Sequence, residues 1–146
     1  MKLHGQCLCG AVHYAFEGRP TMSFLCHCKD CQRHSGSLLH HGIMVPKAAV
    51  EVTGELSSYT RKSDAGRDVT RRFCPTCGSG VLNEIELAPG QVVIRAGTLD
   101  GDALPQPTFE VYARSRSACL SAEHVLLSFA AEATGGGAQL LWKDGE

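Results

Sequence analysis

Short hydrophobic runs separated by turn signals dominate the pattern along the chain. The segment VHYAFEG, residues 12–18, approximates the two-residue alternation of a half-buried strand. Further strand candidates with similar length are MSFLCHC, LLHHGIMV, AVEVTG, LSSYTR, VTRRFC, GVLNEIEL, QVVIRAG and TFEVYAR. Turn sequences such as Ala88-Pro89-Gly90 separate most of these runs. The pattern therefore predicts a mainly β, antiparallel fold with little helix.

Two segments have helical character. The polar stretch KDCQRHSG, residues 29–36, is too short for a normal helix and predicts one helical turn that ends at Gly36. The run AEHVLLSFAAEA, residues 122–133, has a helix-like pattern and is followed at once by TGGGAQ. We therefore predict one domain over residues 1–121. A C-terminal tail over 122–146 would contain a short helix and then a flexible glycine-rich end.

Composition and charge fit a single soluble domain. The 146 residues are 43% hydrophobic and 20% charged, with a net charge of -1. This balance lacks the basic footprint of a nucleic-acid-binding protein, so no nucleic-acid partner is expected. The start MKLHGQCLCG has no apolar signal region, and the chain has no 18-residue apolar stretch, so we expect no membrane association. In the expected cytoplasmic location, eight cysteines favour metal binding over disulfides.

Seven of the cysteines fall into three clusters. These are Cys7-Leu8-Cys9, Cys26-His27-Cys28-Lys29-Asp30-Cys31 and Cys74-Pro75-Thr76-Cys77. In the last cluster, two intervening residues let the backbone turn both sulfurs toward one ion, and Gly78 can adopt the positive φ that closes the turn. Cys119 stands alone, and we predict a buried free thiol there.

The two cysteine pairs together supply four ligands. In a flat strand the side chains of Cys7 and Cys9 would lie about 6.6 Å apart. Sulfurs around a tetrahedral zinc ion lie only about 3.8 Å apart, so the chain must bend at Leu8. With Cys74 and Cys77, this pair predicts a closed structural zinc site, and buried thiols or disulfides are the alternative.

The segment CHCKDC, residues 26–31, offers three thiolates for a second ion. One alternative is another closed structural site, in which His27, His34 or a downstream histidine is the fourth ligand. The other is three protein ligands and an open position for water or substrate, which is typical of catalytic zinc. The spacing alone does not separate these alternatives.

Five motifs in order carry a family resemblance. They are GQCLCGAVHY, CHCKDCQRHSG, RRFCPTCGSGV, AGTLDG and PTFEVYARSR. From Gly5 to about Arg116, the chain resembles the glutathione-dependent formaldehyde-activating enzymes, which share their domain with the centromere protein V group. The resemblance implies an Mss4-like zinc-binding β fold with two zinc sites. It also implies a carbon–sulfur lyase or synthase activity that combines formaldehyde with glutathione to give S-hydroxymethylglutathione.

The same resemblance implies a role for each cysteine cluster. The structural zinc would be held by Cys7, Cys9, Cys74 and Cys77. The catalytic-type zinc would be held by Cys26, Cys28 and Cys31, which are therefore the candidate catalytic residues. Three thiolates on Zn²⁺ leave a net charge of about -1, so the ion would be a weak Lewis acid for hydrolysis and a good partner for another soft ligand. This favours a small-molecule thiol as one substrate, and the resemblance implies a small aldehyde as the other.

Several charged or titratable residues accompany the clusters. His27, His34, His40 and His41 lie near the three-cysteine motif and could move a proton, although a surface or hydrogen-bonded role is commoner for a histidine. The arginines at 67, 71 and 72 could meet an anionic substrate such as a glutathione carboxylate, although a solvated strand face is the commoner meaning of such a group.

Two other functions compete with the enzyme. Both zinc sites could only stabilise a non-catalytic module that binds a protein or nucleic-acid partner. Alternatively, CHCKDC could lose zinc and form a disulfide as a redox sensor. The pattern carries no sign of an oligomeric state.

Overall fold

The structure is a computed structural model that describes residues 1–101, 104–121 and 127–133. Within this part of the chain, eleven strands accompany a single α-helix, α1, at Lys29–Ser35. The strands are β1 Lys2–Gln6, β2 His13–Glu17, β3 Met22–Cys26, β4 His40–Pro46, β5 Val50–Thr53, β6 Ser57–Lys62, β7 Asp68–Phe73, β8 Gly80–Ile85, β9 Gln91–Arg95, β10 Phe109–Val111 and β11 Leu127–Ser128. Short 3-10 helices lie at Lys47–Ala49, Ala96–Thr98 and Ala113–Ser115.

The strands form two sheets. The smaller sheet has the order β1-β2-β5, and the larger has the order β11-β10-β3-β4-β9-β8-β7-β6. Every pairing is antiparallel except those of β10, which runs parallel to both β3 and β11. The prediction of a mainly β fold with little helix is confirmed. No helix in the described ranges is long and apolar enough to span a membrane.

The large sheet separates two environments because successive side chains on a strand point to opposite faces. On one face, Ile43 and Ile94 are fully buried against Phe16 and other residues of the small sheet. On the other face, alternate positions such as Met44 and Val93 line a cavity. The sheet therefore supports the main hydrophobic core with one face and the candidate site with the other.

Sequence reasoning located β2 to β10 and the helical turn before Gly36. Gly36 has a φ of 69° and its N–H donates to the carbonyl of Gln32, which closes α1. The first strand, Lys2–Gln6, was missed. Its signal is the alternation that buries Leu3 and Gly5 between exposed neighbours.

The helix predicted over 122–133 is wrong for the described residues 127–133. There, Leu127 and Ser128 form β11 beside β10, and the N–H of Phe129 donates to the carbonyl of Glu110 at 2.9 Å. The ring of Phe129 also packs edge-to-face on Phe109, with centroids 6.0 Å apart. Pairing with an open sheet edge therefore overrode the local helical pattern. Residues 122–126 and the glycine-rich end lie outside the described residues.

Candidate metal centres and the cavity

The first cysteine group joins the loop after β1 to the turn after β7. The sulfurs of Cys7 and Cys9 are 3.6 Å apart, and those of Cys9 and Cys74 are 3.8 Å apart. With Cys77, all four sulfurs lie within 4.8 Å of one another. These separations match the roughly 3.8 Å expected around a tetrahedral zinc ion. The structure thus brings together the four residues that the spacing selected, and the group could hold a metal ion.

Local hydrogen bonds prepare this group for a cation. Hydrogen bonds with the side chain and backbone of Ser79 lower the pKa of Cys77 to about 5, which favours the thiolate. The N–H of Val12 donates to the sulfur of Cys7 at 3.3 Å. A backbone hydrogen bond with Ala11 lowers the pKa of Cys9, but the neighbouring thiols raise it to about 11. Since metal ligands must be deprotonated cysteines, a cation is needed to hold all four as thiolates.

The second cysteine group lies where β3 runs into α1. Cys26 ends the strand, Cys28 caps the helix, and Cys31 lies in its first turn, so all three sulfurs lie within 4.8 Å of one another. The N–H of Cys31 donates to the sulfur of Cys28 at 3.2 Å. Hydrogen bonds with Cys26 and Cys31 lower the pKa of Cys28 to about 2, while hydrogen bonds with Cys28 and Cys31 raise the pKa of Cys26 well above its ordinary value. The thiols alone therefore favour one thiolate, and a cation is needed to stabilise three.

Within the described ranges, no histidine, cysteine or carboxylate adds a fourth donor within 4.8 Å of the three sulfurs. Hydrogen bonds hold three of the four nearby histidines elsewhere: His27 to Glu110, His34 to Arg95 and His41 to Ser23, each at 2.8 Å. His40 pairs across the sheet with Cys26 and lines the cavity. Among the described residues, the closed alternative with a histidine as fourth ligand therefore lacks its donor, and one side of the three sulfurs is open.

The open side faces a cavity of about 500 Å³, which all three cysteines help to line. The rest of the wall is mainly apolar and includes Met22, Phe24, Val93 and Phe109. A volume of this size accommodates a small organic molecule. The three sulfurs therefore lie where such a molecule could contact them.

The three arginines that could meet an anionic substrate lie in different surroundings. Arg71 is 3% exposed and lines the cavity, so a solvated strand face is the wrong interpretation for this residue. Arg67 also lines the cavity, and it pairs with Glu132. Arg72 points to the opposite face of the sheet, where it pairs with Glu84.

Asn83 and Tyr112 are polar cavity-lining residues that the sequence analysis did not single out. Asn83 lies opposite Arg71 in the β7–β8 register, and that register is set by the fold. Tyr112 has a φ of 54°, in the left-handed region that bulky residues rarely adopt. No sequence signal marks either position.

Cys119 lies outside both groups and is exposed, because it sits in a surface turn beside Ser117, so the prediction of a buried thiol is wrong.

Comparisons with known proteins identify a family and related solved structures. A family model described as glutathione-dependent formaldehyde-activating enzyme matches residues 2–115. The crystal structure of a Rhodobacter sphaeroides protein is similar at 23% identity with a TM-score of 0.55, covering 70% of this chain and 90% of that one. At that identity the likeness shows the fold alone. No curated protein matches the chain.

Proposed function

The chain belongs to the glutathione-dependent formaldehyde-activating enzyme family, and from this membership we propose that it is a zinc-dependent carbon–sulfur lyase or synthase. Its substrates in this proposal are a small, formaldehyde-like aldehyde and a glutathione-like thiol, or the adduct of the two. One observation carries the proposal. Three sulfurs without a fourth described donor line a cavity of about 500 Å³.

The residues present fit two zinc ions. We assign the structural ion to the group whose sulfur separations include 3.6 Å and 3.8 Å, namely Cys7, Cys9, Cys74 and Cys77. We assign the second ion to Cys26, Cys28 and Cys31, which are the proposed catalytic cysteines. When bound there, zinc would supply a soft Lewis-acidic position that favours a thiolate over an oxygen ligand.

The cavity itself would position the reactants. Its apolar wall, with Phe24 and Phe109 stacked at 5.6 Å, limits the water around a bound thiol and aldehyde. Holding both molecules in one cavity converts a bimolecular encounter into a nearly intramolecular step.

Two titratable side chains in the wall would stay neutral at pH 7. Burial lowers the pKa of His40 to about 3, and burial raises the pKa of Tyr112. In the addition, the sulfur–carbon bond forms, the thiol loses its proton, and the new hydroxyl gains one. A neutral Tyr112 hydroxyl can donate a hydrogen bond during that exchange.

A cysteine-to-serine pair tests the proposal. We expect Cys28→Ser to lose the second zinc ion and to reduce thiol–aldehyde addition to the uncatalysed rate. The matched control is Cys119→Ser, which changes an exposed cysteine outside both groups. Elemental analysis would give zinc per chain, and NMR would follow the adduct. If Cys28→Ser keeps both its zinc and its rate, the enzymatic proposal is wrong and a non-catalytic zinc-stabilised binding module takes its place.

A further inference from the structure

Arg71 has the longest ion pair among the described charged residues of the cavity wall. The other pairs are Asp30 with Arg61 at 3.4 Å, Asp64 with Arg114 at 3.7 Å, and Arg67 with Glu132 at 3.1 Å. Nη2 of Arg71 is 3.9 Å from Asp30, which is beyond hydrogen-bond distance, and Arg61 lies closer to that carboxylate.

Arg71 is also buried without hydrogen bonds to the described residues. Its side chain is 4% exposed, and both Nε and Nη1 lack an acceptor there. A buried guanidinium normally binds carboxylate or phosphate oxygens, because an unmet charged donor is costly away from water. The cavity beside it is the place from which an acceptor could come.

A second unmet polar group lies next to the first. Asn83 is the cross-strand partner of Arg71, is 4% exposed and lines the same cavity. Its Oδ1 has no hydrogen-bond partner among the described residues, and neither does Nε2 of His40 in the same wall. Arg71 and Asn83 therefore form a polar patch with unmet hydrogen-bonding atoms in a mainly apolar cavity, and His40 adds a third such atom to the same wall.

Two buried arginines act on the three sulfurs. Arg95 interacts electrostatically with all three cysteines, and Arg71 interacts with Cys28 and Cys31. A zinc trithiolate would carry a single negative charge, so two cations leave one positive charge for another anion. Arg95 binds His34 outside the cavity wall, whereas Arg71 lines the cavity, so an anion in the cavity would meet Arg71.

The position of Arg71 limits where that anion can be in the ligand. Its guanidinium is 3.9 Å from Asp30, the residue before Cys31, and it is close enough to Cys28 and Cys31 to interact with both electrostatically. A ligand that reaches both the sulfurs and Arg71 thus needs its anionic group only a few bonds from its reacting sulfur.

We propose that Arg71, with Asn83 beside it, is a carboxylate subsite that selects a short mercaptocarboxylate as the thiol substrate. This inference rests on the proposed function and adds the identity of the thiol. The carboxylate lies at Arg71, the sulfur lies toward the three cysteines, and the short carbon chain contacts the apolar wall. Nδ2 of Asn83 can donate to the carboxylate, and its unmet Oδ1 can accept from a donor group next to that carboxylate.

Calorimetric titration of the purified, zinc-loaded protein tests the subsite. The probes are 3-mercaptopropionate and its uncharged counterpart 3-mercaptopropanol. We expect the carboxylate thiol to bind wild type at least about tenfold more tightly, which corresponds to one charge-assisted hydrogen bond. Arg71→Gln should reduce this ratio to about one. Arg72→Gln is the matched control on the opposite face of β7 and should keep it.

Each other outcome has a definite meaning. Equal affinity of the two thiols for wild type overturns the proposed subsite. This comparison needs no variant, so it holds even if Arg71→Gln folds poorly. If Arg71→Gln keeps the wild-type affinity ratio, the subsite is also overturned. If the variant loses the ratio only together with its zinc, Arg71 acts on the metal centre and the subsite is overturned as well. If neither thiol binds wild type and no addition occurs, the proposed function fails as well.

Discussion

Glu110 is a buried carboxylate that ties three segments of the chain to one another. It is 1% exposed and accepts hydrogen bonds from Nε2 of His27 at 2.8 Å, from Oγ of Ser128 at 2.7 Å, and from Nε and Nη2 of Arg116. His27 lies between two of the proposed ligand cysteines, and Ser128 belongs to β11. Replacing this carboxylate should therefore disturb both the site and the sheet edge.

The expected loss follows from burial and charge. Glu110→Gln keeps the shape of the side chain but removes its charge, and its amide cannot accept all four hydrogen bonds. Each hydrogen bond to a charged group contributes roughly 1.5–3 kcal/mol, and breaking a buried ion pair typically costs about 3–5 kcal/mol in total. We expect the free energy of unfolding to fall by about 3 kcal/mol, a large share of the usual 5–15 kcal/mol.

Urea unfolding at pH 7 measures this loss, with Glu84→Gln as the control. Glu84 also pairs with basic residues, Lys47 and Arg72, but its partners are partly exposed, so we expect a loss below about 1 kcal/mol. If the two variants lose stability equally, to within about 0.5 kcal/mol, the argument from burial is wrong.

The pH dependence of the same difference is a second check. Burial alone would raise the pKa of Glu110, but hydrogen bonds from Arg116, Ser128 and His27 lower it below 4.5. A lowered folded-state pKa contributes stability above the unfolded-state pKa and loses it as the pH falls through the folded value. The difference between wild type and Glu110→Gln should therefore shrink progressively below about pH 4.5. If the stability difference between the two proteins stays constant as the pH falls below about 4.5, Glu110 is not the stabilising carboxylate.

Two further substitutions test the four-cysteine group and the close packing around Gly5. Cys74→Ser removes a fully buried member of the four-cysteine group. A structural zinc ion typically contributes about 10–16 kcal/mol of folding free energy, so we expect circular dichroism to show an unfolded or molten protein. A melting curve like that of wild type would refute a structural role for this group. Gly5→Ala would place a Cβ 2.5 Å from the carbonyl oxygen of Thr98 and in overlap with the hydroxyl of Tyr14, so we expect a loss of at least about 2 kcal/mol on urea unfolding. Gly97→Ala has open space and should change stability by less than about 0.5 kcal/mol, and equal effects of the two alanines would refute the packing argument.

The sequence predicted most strands correctly because a half-buried strand alternates hydrophobic and polar residues, and this pattern is visible in the local sequence. Residues 13–17, for example, are buried at Tyr14 and Phe16 between more exposed neighbours. The segment 127–133 shows where this reasoning fails. Its helix-like composition was overruled by the open edge of β10, and the sequence holds no local record of that edge.

The cysteine sequence by itself determined which sulfurs could share an ion, because a bend of one or two residues between cysteines sets the distance between neighbouring sulfurs. Only the tertiary structure decided the surroundings of those sulfurs. It placed Arg71 and Asn83 side by side in the cavity, turned His27 to Glu110, and left the three-sulfur group without a fourth donor among the described residues. Sheet register and side-chain direction set these contacts. Both are fixed by packing between residues far apart in the chain, so no local pattern encodes them.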